Sequence, residues 1–323
     1  MNHLDNFGTN LTSVTSASDT SSPVNSVPSI AAPFWVAFDA TNINNHYETK
    51  LITSKTATNI LHSALSYDHT TAEEVRIVNP AAEFDALSTG WQTGPGTWTY
   101  SSADSPTFVL TTSVDLSSFI GVGARIKLTQ TTEKFFIVTA ISSTTITLYG
   151  GTDYTLTAAA ITSPYFSIMK APIGFPLDPT KWSVLVTDAT QRSGAITGST
   201  WTNIGSTNAQ ITIPIGVWDV YVKAAAFVDR TSAGTGDSCS GALSTASNTN
   251  SDPEMSSMVG YYGSAVAGSS DLIGGELCIR KTLVLAAKTL HYLNWYTQNA
   301  GTCTQNPTNF GGTMVLRAVC AYL

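Results

Sequence analysis

Six apolar side chains at alternate positions, Trp218, Val220, Val222, Ala224, Ala226 and Val228, run through residues 217–228, with Asp219, Tyr221 and Lys223 between them. A period of two belongs to a β-strand, whose successive side chains point to opposite faces; a helix cannot gather these residues on one side. A long strand with one apolar face needs a second layer to cover that face, which points to a sheet packed on another sheet.

The same signal recurs elsewhere. Residues 125–129 alternate, as do Phe135, Ile137 and Ile141, and then Ile146 and Leu148 before Gly150-Gly151. Three such runs joined by short polar turns read as an antiparallel meander. Trp91, Trp98 and Tyr100 add bulky β-formers upstream. Later runs cover Glu276 to Leu285, Thr289 to Thr297 and Thr313 to Leu323, and Thr231 to Met255 between them reads as a long polar loop. One short helix is expected near Ser54 to Leu65, with Ile60, Leu61 and Leu65 as its apolar residues.

The expected class is therefore all-β. A small antiparallel β-domain covers residues 77–170, and a C-terminal sandwich or jelly roll covers 182–323. Residues 171–181 hold Pro172, Pro176 and Pro179, which a central strand excludes, and read as a semi-rigid connector. Residues 1–33, rich in Ser, Thr, Asn and Pro, bury too little surface to offset their ordering entropy alone. Residues 1–33 read either as a disordered tail or as an arm that orders against a partner, and residues 1–76 as a whole are expected to form an extended N-terminal arm.

Composition narrows the function. Charged residues make up 11% and the net charge is −7, with the 15 Lys and Arg scattered. Nucleic-acid binding draws its affinity from phosphate neutralisation by clustered cations, so that class is set aside. Ser, Thr, Asn and Gly replace charge, a balance suited to an assembled or extracellular β-protein. No apolar run reaches the roughly 18 residues that span a bilayer. No basic region followed by an apolar run opens residues 1–10, so no signal peptide is expected.

Catalytic and metal signatures are sparse. Gly236-Asp237-Ser238-Cys239-Ser240-Gly241 differs from a serine-protease run at Cys239, and four of the five histidines, His3, His46, His62 and His69, lie far from it in sequence. His291 sits in a strand. Glu73-Glu74 reads as a solvated acidic pair. Asp229, Asp237, Asp252 and Glu254 do not follow the spacing of a calcium loop. Cys239, Cys278, Cys303 and Cys320 include no closely spaced pair, which argues against zinc. Two disulfides and four buried free thiols both stay open. No cofactor, metal or catalytic residue is expected. The aromatic pairs Tyr261-Tyr262 and Trp295-Tyr296 are the candidate receptor contacts, because flat amphipathic rings offer contact area at little entropy cost. Neighbours along a strand face opposite ways, so one ring of each pair is expected in the core.

Asn79-Pro80, Gly90-Trp91, Thr97-Trp98-Thr99-Tyr100, the run Lys127 to Thr132, Phe135-Phe136, the run Gly150 to Leu156 and Gly174-Phe175-Pro176 together resemble a segment found in bacteriophage tail and minor structural proteins. It spans about a third of the chain. The C-terminal part resembles the jelly-roll tips of phage fibres and, more distantly, the tumour-necrosis-factor/C1q-like jelly roll. The carrying features are Ile211 to Pro214 before the Trp218 strand, Arg280 to Leu283 before Thr289 to Trp295, and a terminal strand. The resemblance implies a virion protein, a tail fibre or receptor-binding subunit, that forms a homotrimer. Its N-terminal region would dock on other virion proteins and its head would contact a host glycan or protein. It would be made in the host cytoplasm and released by lysis, with no enzymatic activity. A capsid-bound head fibre or decoration protein is the alternative, followed by an enzymatic tailspike.

Overall fold

The computed structural model describes residues 8–28, 32–41, 44–77, 88–230, 235–264, 272–308 and 312–323. Two compact units, Met1–Thr89 and Gly90–Leu323, divide the chain. The fold is all-β, as the alternation requires, and among the described residues no helix is long and apolar enough to cross a membrane.

The first unit contains β1 (Gly8–Asn10), β2 (Ser21–Pro23), β3 (Phe34–Phe38), β4 (Glu48–Ile52), β5 (Ser54–Lys55), β6 (Asn59–Leu61) and β7 (Glu74–Ile77). They form a sheet ordered β1-β7-β3-β4 and a smaller one ordered β2-β6-β5. The segment expected to extend as an arm is folded. Leu11 and Val24, isolated in a polar stretch, are buried against Phe34, Val36, Phe38 and Ile52, which lie beyond residues 1–33. The helix expected near Ser54 to Leu65 is replaced by β5 and β6. Thr56 Oγ1 accepts the backbone N–H groups of Thr58 (3.3 Å) and Asn59 (3.0 Å), which closes a tight turn where a helix would continue.

The second unit begins with β8 (Gln92–Thr93), β9 (Trp98–Asp104), β10 (Thr107–Thr112), β11 (Arg125–Gln130), β12 (Thr132–Ser142), β13 (Thr145–Tyr149) and β14 (Thr162–Ser167). They make one sheet, β8-β14-β11-β12-β13-β10-β9. The expected meander is β11–β12–β13. One face of β12 gives Phe136 and Val138 to the local core with Phe108, Leu110, Ile126 and Leu148. The other gives Phe135 and Ile137 to a second core, described below.

The head contains β15 (Ser183–Asp188), β16 (Arg192–Ile196), β17 (Thr200–Thr202), a short 3-10 turn at Ser206–Asn208, β18 (Gln210–Ile213) and β19 (Gly216–Arg230). It continues with β20 (Thr235–Ser244), β21 (Ser256–Ser264), β22 (Leu272–Leu285), β23 (Thr289–Thr297), β24 (Gly301–Gln305) and β25 (Met314–Cys320). One layer reads β15-β25-β19-β22 and the other β18-β23-β20-β21, all antiparallel. The chain passes back and forth between the two layers, which is the double Greek key of a jelly roll. Strands β24 and β16 extend the first layer beside the far end of β19, and β17 extends the second beside β23. The predicted face of β19 is the buried one: Trp218, Val220, Val222, Ala224, Ala226 and Val228 are all within the core. Within the expected loop from Thr231 to Met255, residues 235–244 instead form β20, which occupies the middle of its layer between β21 and β23.

Sheet and head of the second unit share one core. Phe135, Ile137 and Tyr149 join Trp182, Trp218 and Cys320. Tyr149 meets Trp218 edge-on with ring centroids 4.9 Å apart. Phe175, from the segment expected to be a connector, stacks on Trp182 at 5.0 Å and 5°. Gly150-Gly151 makes the close approach feasible. A Cβ on Gly150 would lie 2.0 Å from the Tyr154 carbonyl oxygen, and one on Gly151, at φ +66°, 2.5 Å from that of Lys181. Arg125 is fully buried at this junction. It donates to the carbonyls of Lys170 (3.1 Å), Gly123 (2.7 Å) and Tyr322 (2.8 Å) and lies 4.9 Å over the Phe175 ring. Burial pushes its pKa below the usual guanidinium range.

Candidate functional site

In the first unit, His69 is fully buried between two carboxylates, its Nδ1 2.5 Å from Glu73 Oε2 and its Nε2 2.8 Å from Glu48 Oε1. Glu73, expected on a solvated face, is 1% exposed and also accepts from Asn44 Nδ2. Ser22 Oγ lies 2.8 Å from His62 Nε2, whose Nδ1 is 2.8 Å from the Ser63 carbonyl. That pairing has the outline of a nucleophile and its base, yet Ser22 is 0% exposed and no substrate reaches it. Burial holds the His62 pKa below the ordinary histidine value. These clusters tie the small sheets of the first unit together.

Glu48 carries a testable consequence. Burial opposes its ionisation, but donors from Lys50, His69 and the Ser66 backbone outweigh burial and hold its pKa at about 2, well below the ordinary glutamate value of 4.5. A depressed carboxylate contributes stability that is present above its unfolded pKa and lost as pH falls through the folded one. The first unit should therefore weaken between about pH 4.5 and 2, and Glu48→Gln should flatten that dependence. Urea midpoints followed through Trp35, the tryptophan of this unit, would show it; equal pH slopes in both proteins would refute it.

The run Gly236 to Gly241 lies on β20, where Asp237 is fully buried and its Oδ1 accepts the backbone N–H groups of Ser238 (2.7 Å), Gln298 (3.0 Å) and Asn299 (3.3 Å). The carboxylate anchors the turn after β23. All four cysteines are free thiols. Cys239, Cys303 and Cys320 are buried, and burial pushes Cys239 up to about 12 and Cys320 to about 11. Cys278 is exposed on β22.

The four aromatic candidates divide as the strand period demands. Trp295 faces inward, is 0% exposed and donates from Nε1 to Gln305 Oε1 at 3.0 Å; as a core residue it is not a surface contact. Tyr296 faces outward and packs on Trp201 with ring centroids 5.3 Å apart. Tyr261 is 65% exposed. The side chain of Tyr262 lies outside the described residues. Register places Trp201, Tyr296, Ser240 and Met258 in one row across four strands, with Met258 61% exposed and Tyr261, opposite Ser238, beside it. The outward face of the second layer thus carries two rings and a thioether on one row, a third ring alongside, and small hydroxyls between them. Trp201 and Met258 were not singled out in the sequence, because they enter the row from strands distant in the chain.

Behind this row, a buried amide fixes the adjoining loop. Asn294, 0% exposed, donates to the carbonyls of Ala246 (3.0 Å) and Thr249 (2.7 Å) and accepts from Asn248 N (3.2 Å). Asn248 Oδ1 in turn accepts from Asn203 N at 2.7 Å. Rings on a rigid sheet, with hydroxyls beside them, form a surface that can stack on the C–H faces of a sugar or pack on a protein while bonding to polar groups.

No protein-family model and no curated protein matches the chain. Among solved structures, that of infectious bursal disease virus, Gx strain, aligns over 99% of this chain and 74% of its own, at 10% identity and a TM-score of 0.28. The infectious bursal disease virus VP2 subviral particle covers 97% and 77%, at 10% identity and a TM-score of 0.24. A Bacillus thuringiensis Cry1Da tryptic core variant covers 92% and 52%, at 9% identity and a TM-score of 0.19. Likeness at this level says nothing about function.

Proposed function

We propose that the chain is a structural subunit of a bacteriophage particle, a tail-fibre or receptor-binding protein whose jelly-roll head holds a host-surface molecule without transforming it. The observation that carries this reading is the outward row of the rings of Trp201 and Tyr296 with the thioether of Met258, and Tyr261 alongside, on a head of low charge. The first unit is the part that docks on another virion protein. The head works as a homotrimer. Supporting that is the outer face of β15-β25-β19-β22, where Leu185 and Val284 are 55% and 79% exposed and Val315 and Val319 are half-buried. Three copies meeting on such a face would cover these side chains and point three aromatic rows outward, so that weak contacts add as avidity.

The test is the mass of the full chain in solution, with saturable binding of the labelled chain to a panel of bacterial strains. A trimer that binds one or more strains is expected. Each exposed ring is worth about 1–2 kcal/mol, so Trp201→Ala with Tyr261→Ala should weaken binding tenfold or more. Binding to no strain, together with decoration of purified capsids, would overturn the reading in favour of a head fibre.

A further inference from the structure

A second site, away from the aromatic row, lies where the two layers of the head open toward solvent. Strand β15 is the edge of one layer and β18 the edge of the other. Between them runs a groove of about 580 Å³, floored by Val184 and Val186, which pack on the core, and lined also by Ser105 and Pro106 of the β9–β10 hairpin. That volume falls within the roughly 300–1,000 Å³ of small-ligand sites.

The charges along the groove are already committed. Lys288 Nζ reaches Asp104 Oδ1 at 2.7 Å and the Ser105 carbonyl at 2.9 Å, which pins the β9–β10 hairpin against the head. Asp188 accepts from Arg192 Nε at 2.7 Å and from Thr190 N at 3.0 Å. What is left over is neutral. Thr187, Thr207, Asn208, Gln210 and Thr212 line the groove, and none of their side chains has a hydrogen-bond partner among the described residues. Three come from β15 and β18, so their backbones are set by the sheets.

We infer that this groove binds a neutral oligosaccharide. Primary amides and hydroxyls both donate and accept, which suits vicinal sugar hydroxyls, and the valine floor suits the C–H face of a pyranose. An anionic sugar would meet no free cation among the lining residues and would face the Asp188 carboxylate. Glycoside hydrolysis uses two carboxylates, whereas among the described residues Asp188 is the one acid lining this groove and it is clamped by Arg192. The groove therefore holds a chain of sugars and does not cut it. The inference deepens the host-contact reading, and rests on it for the source of the glycan.

The experiment titrates the full chain with neutral oligosaccharides, fragments of dextran, mannan and galactan, by calorimetry, and measures cell adsorption in parallel. Saturable binding of one of them is expected. Thr212→Trp, which fills the groove from an exposed position, should abolish it, and Gln210→Ala with Asn208→Ala should weaken it at least tenfold, with unchanged thermal midpoints. Binding that survives Thr212→Trp, or no binding of any of the three, overturns the groove site. Wild-type adsorption to cells in that case leaves the proposed function standing, whereas oligosaccharide binding without adsorption to any strain would support the groove and count against a host-attachment role.

Discussion

Replacing Trp218 by alanine is expected to destabilise the second unit by about 3–5 kcal/mol, the range for removing a large, fully buried aromatic side chain. Trp218 is 0% exposed, with Tyr149 edge-on against it and Trp182 in the same cluster. The loss should appear in both bodies at once. Hydrogen exchange should speed up in β12 and β13 as well as in β19 and β25, because all four line the shared core. Trp98→Ala is the control: Trp98 packs with Phe108 and Leu110 in the local core, and its removal should be felt mainly in the sheet β8–β14. A Trp218→Ala protein in which exchange rises in the head alone would show that the two bodies are not coupled.

The second large effect is expected at Arg125. Arg125→Met should cost about 2–4 kcal/mol, since it leaves the carbonyls of Gly123, Lys170 and Tyr322 without these donors at a buried junction. Arg125→Lys should cost nearly as much. It keeps the charge, but an ammonium on a flexible stem cannot reproduce the fixed fork that meets three carbonyls. Because no carboxylate pairs with Arg125 among the described residues, stability should depend little on salt in either variant. Chemical denaturation at low and high salt would check this. A tolerated lysine would mean that charge, and not geometry, matters here.

Where alternation is long and strict, sequence alone places the strand. Strand β23 coincides with the predicted Thr289 to Thr297, and Val217 to Val228 lies inside β19. Strand β20 defeats the same reading, because Gly236-Asp237-Ser238 and Gly241 look like turn residues. At Gly241 the small size has a tertiary cause: a Cβ there would stand 2.7 Å from Leu277 Cδ2 and 2.9 Å from Trp295 Cζ3. The first unit is opaque for another reason. Its strands run two to five residues, too short to display a period, and its core forms from Leu11, Val24 and Phe34 drawn from separate stretches. The candidate sites follow the same division. Tyr261 and Tyr296 could be picked out as adjacent aromatics, while the groove residues Thr187, Asn208, Gln210 and Thr212 are ordinary polar residues until the edges of two layers bring them together.

The shared core at Trp218 also bears on how such a protein could be recombined with a relative. A proline-rich stretch between two bodies looks like a natural splice point for exchanging one head for another. Here a crossover within residues 171–181 would separate Tyr149 and Phe135 from Trp182 and Trp218, leaving each parent with half of an interface shaped by the other. A crossover at Gly90, where the second compact unit begins, keeps both halves together. Functional chimeras of this chain should therefore inherit the sheet and the head from one parent.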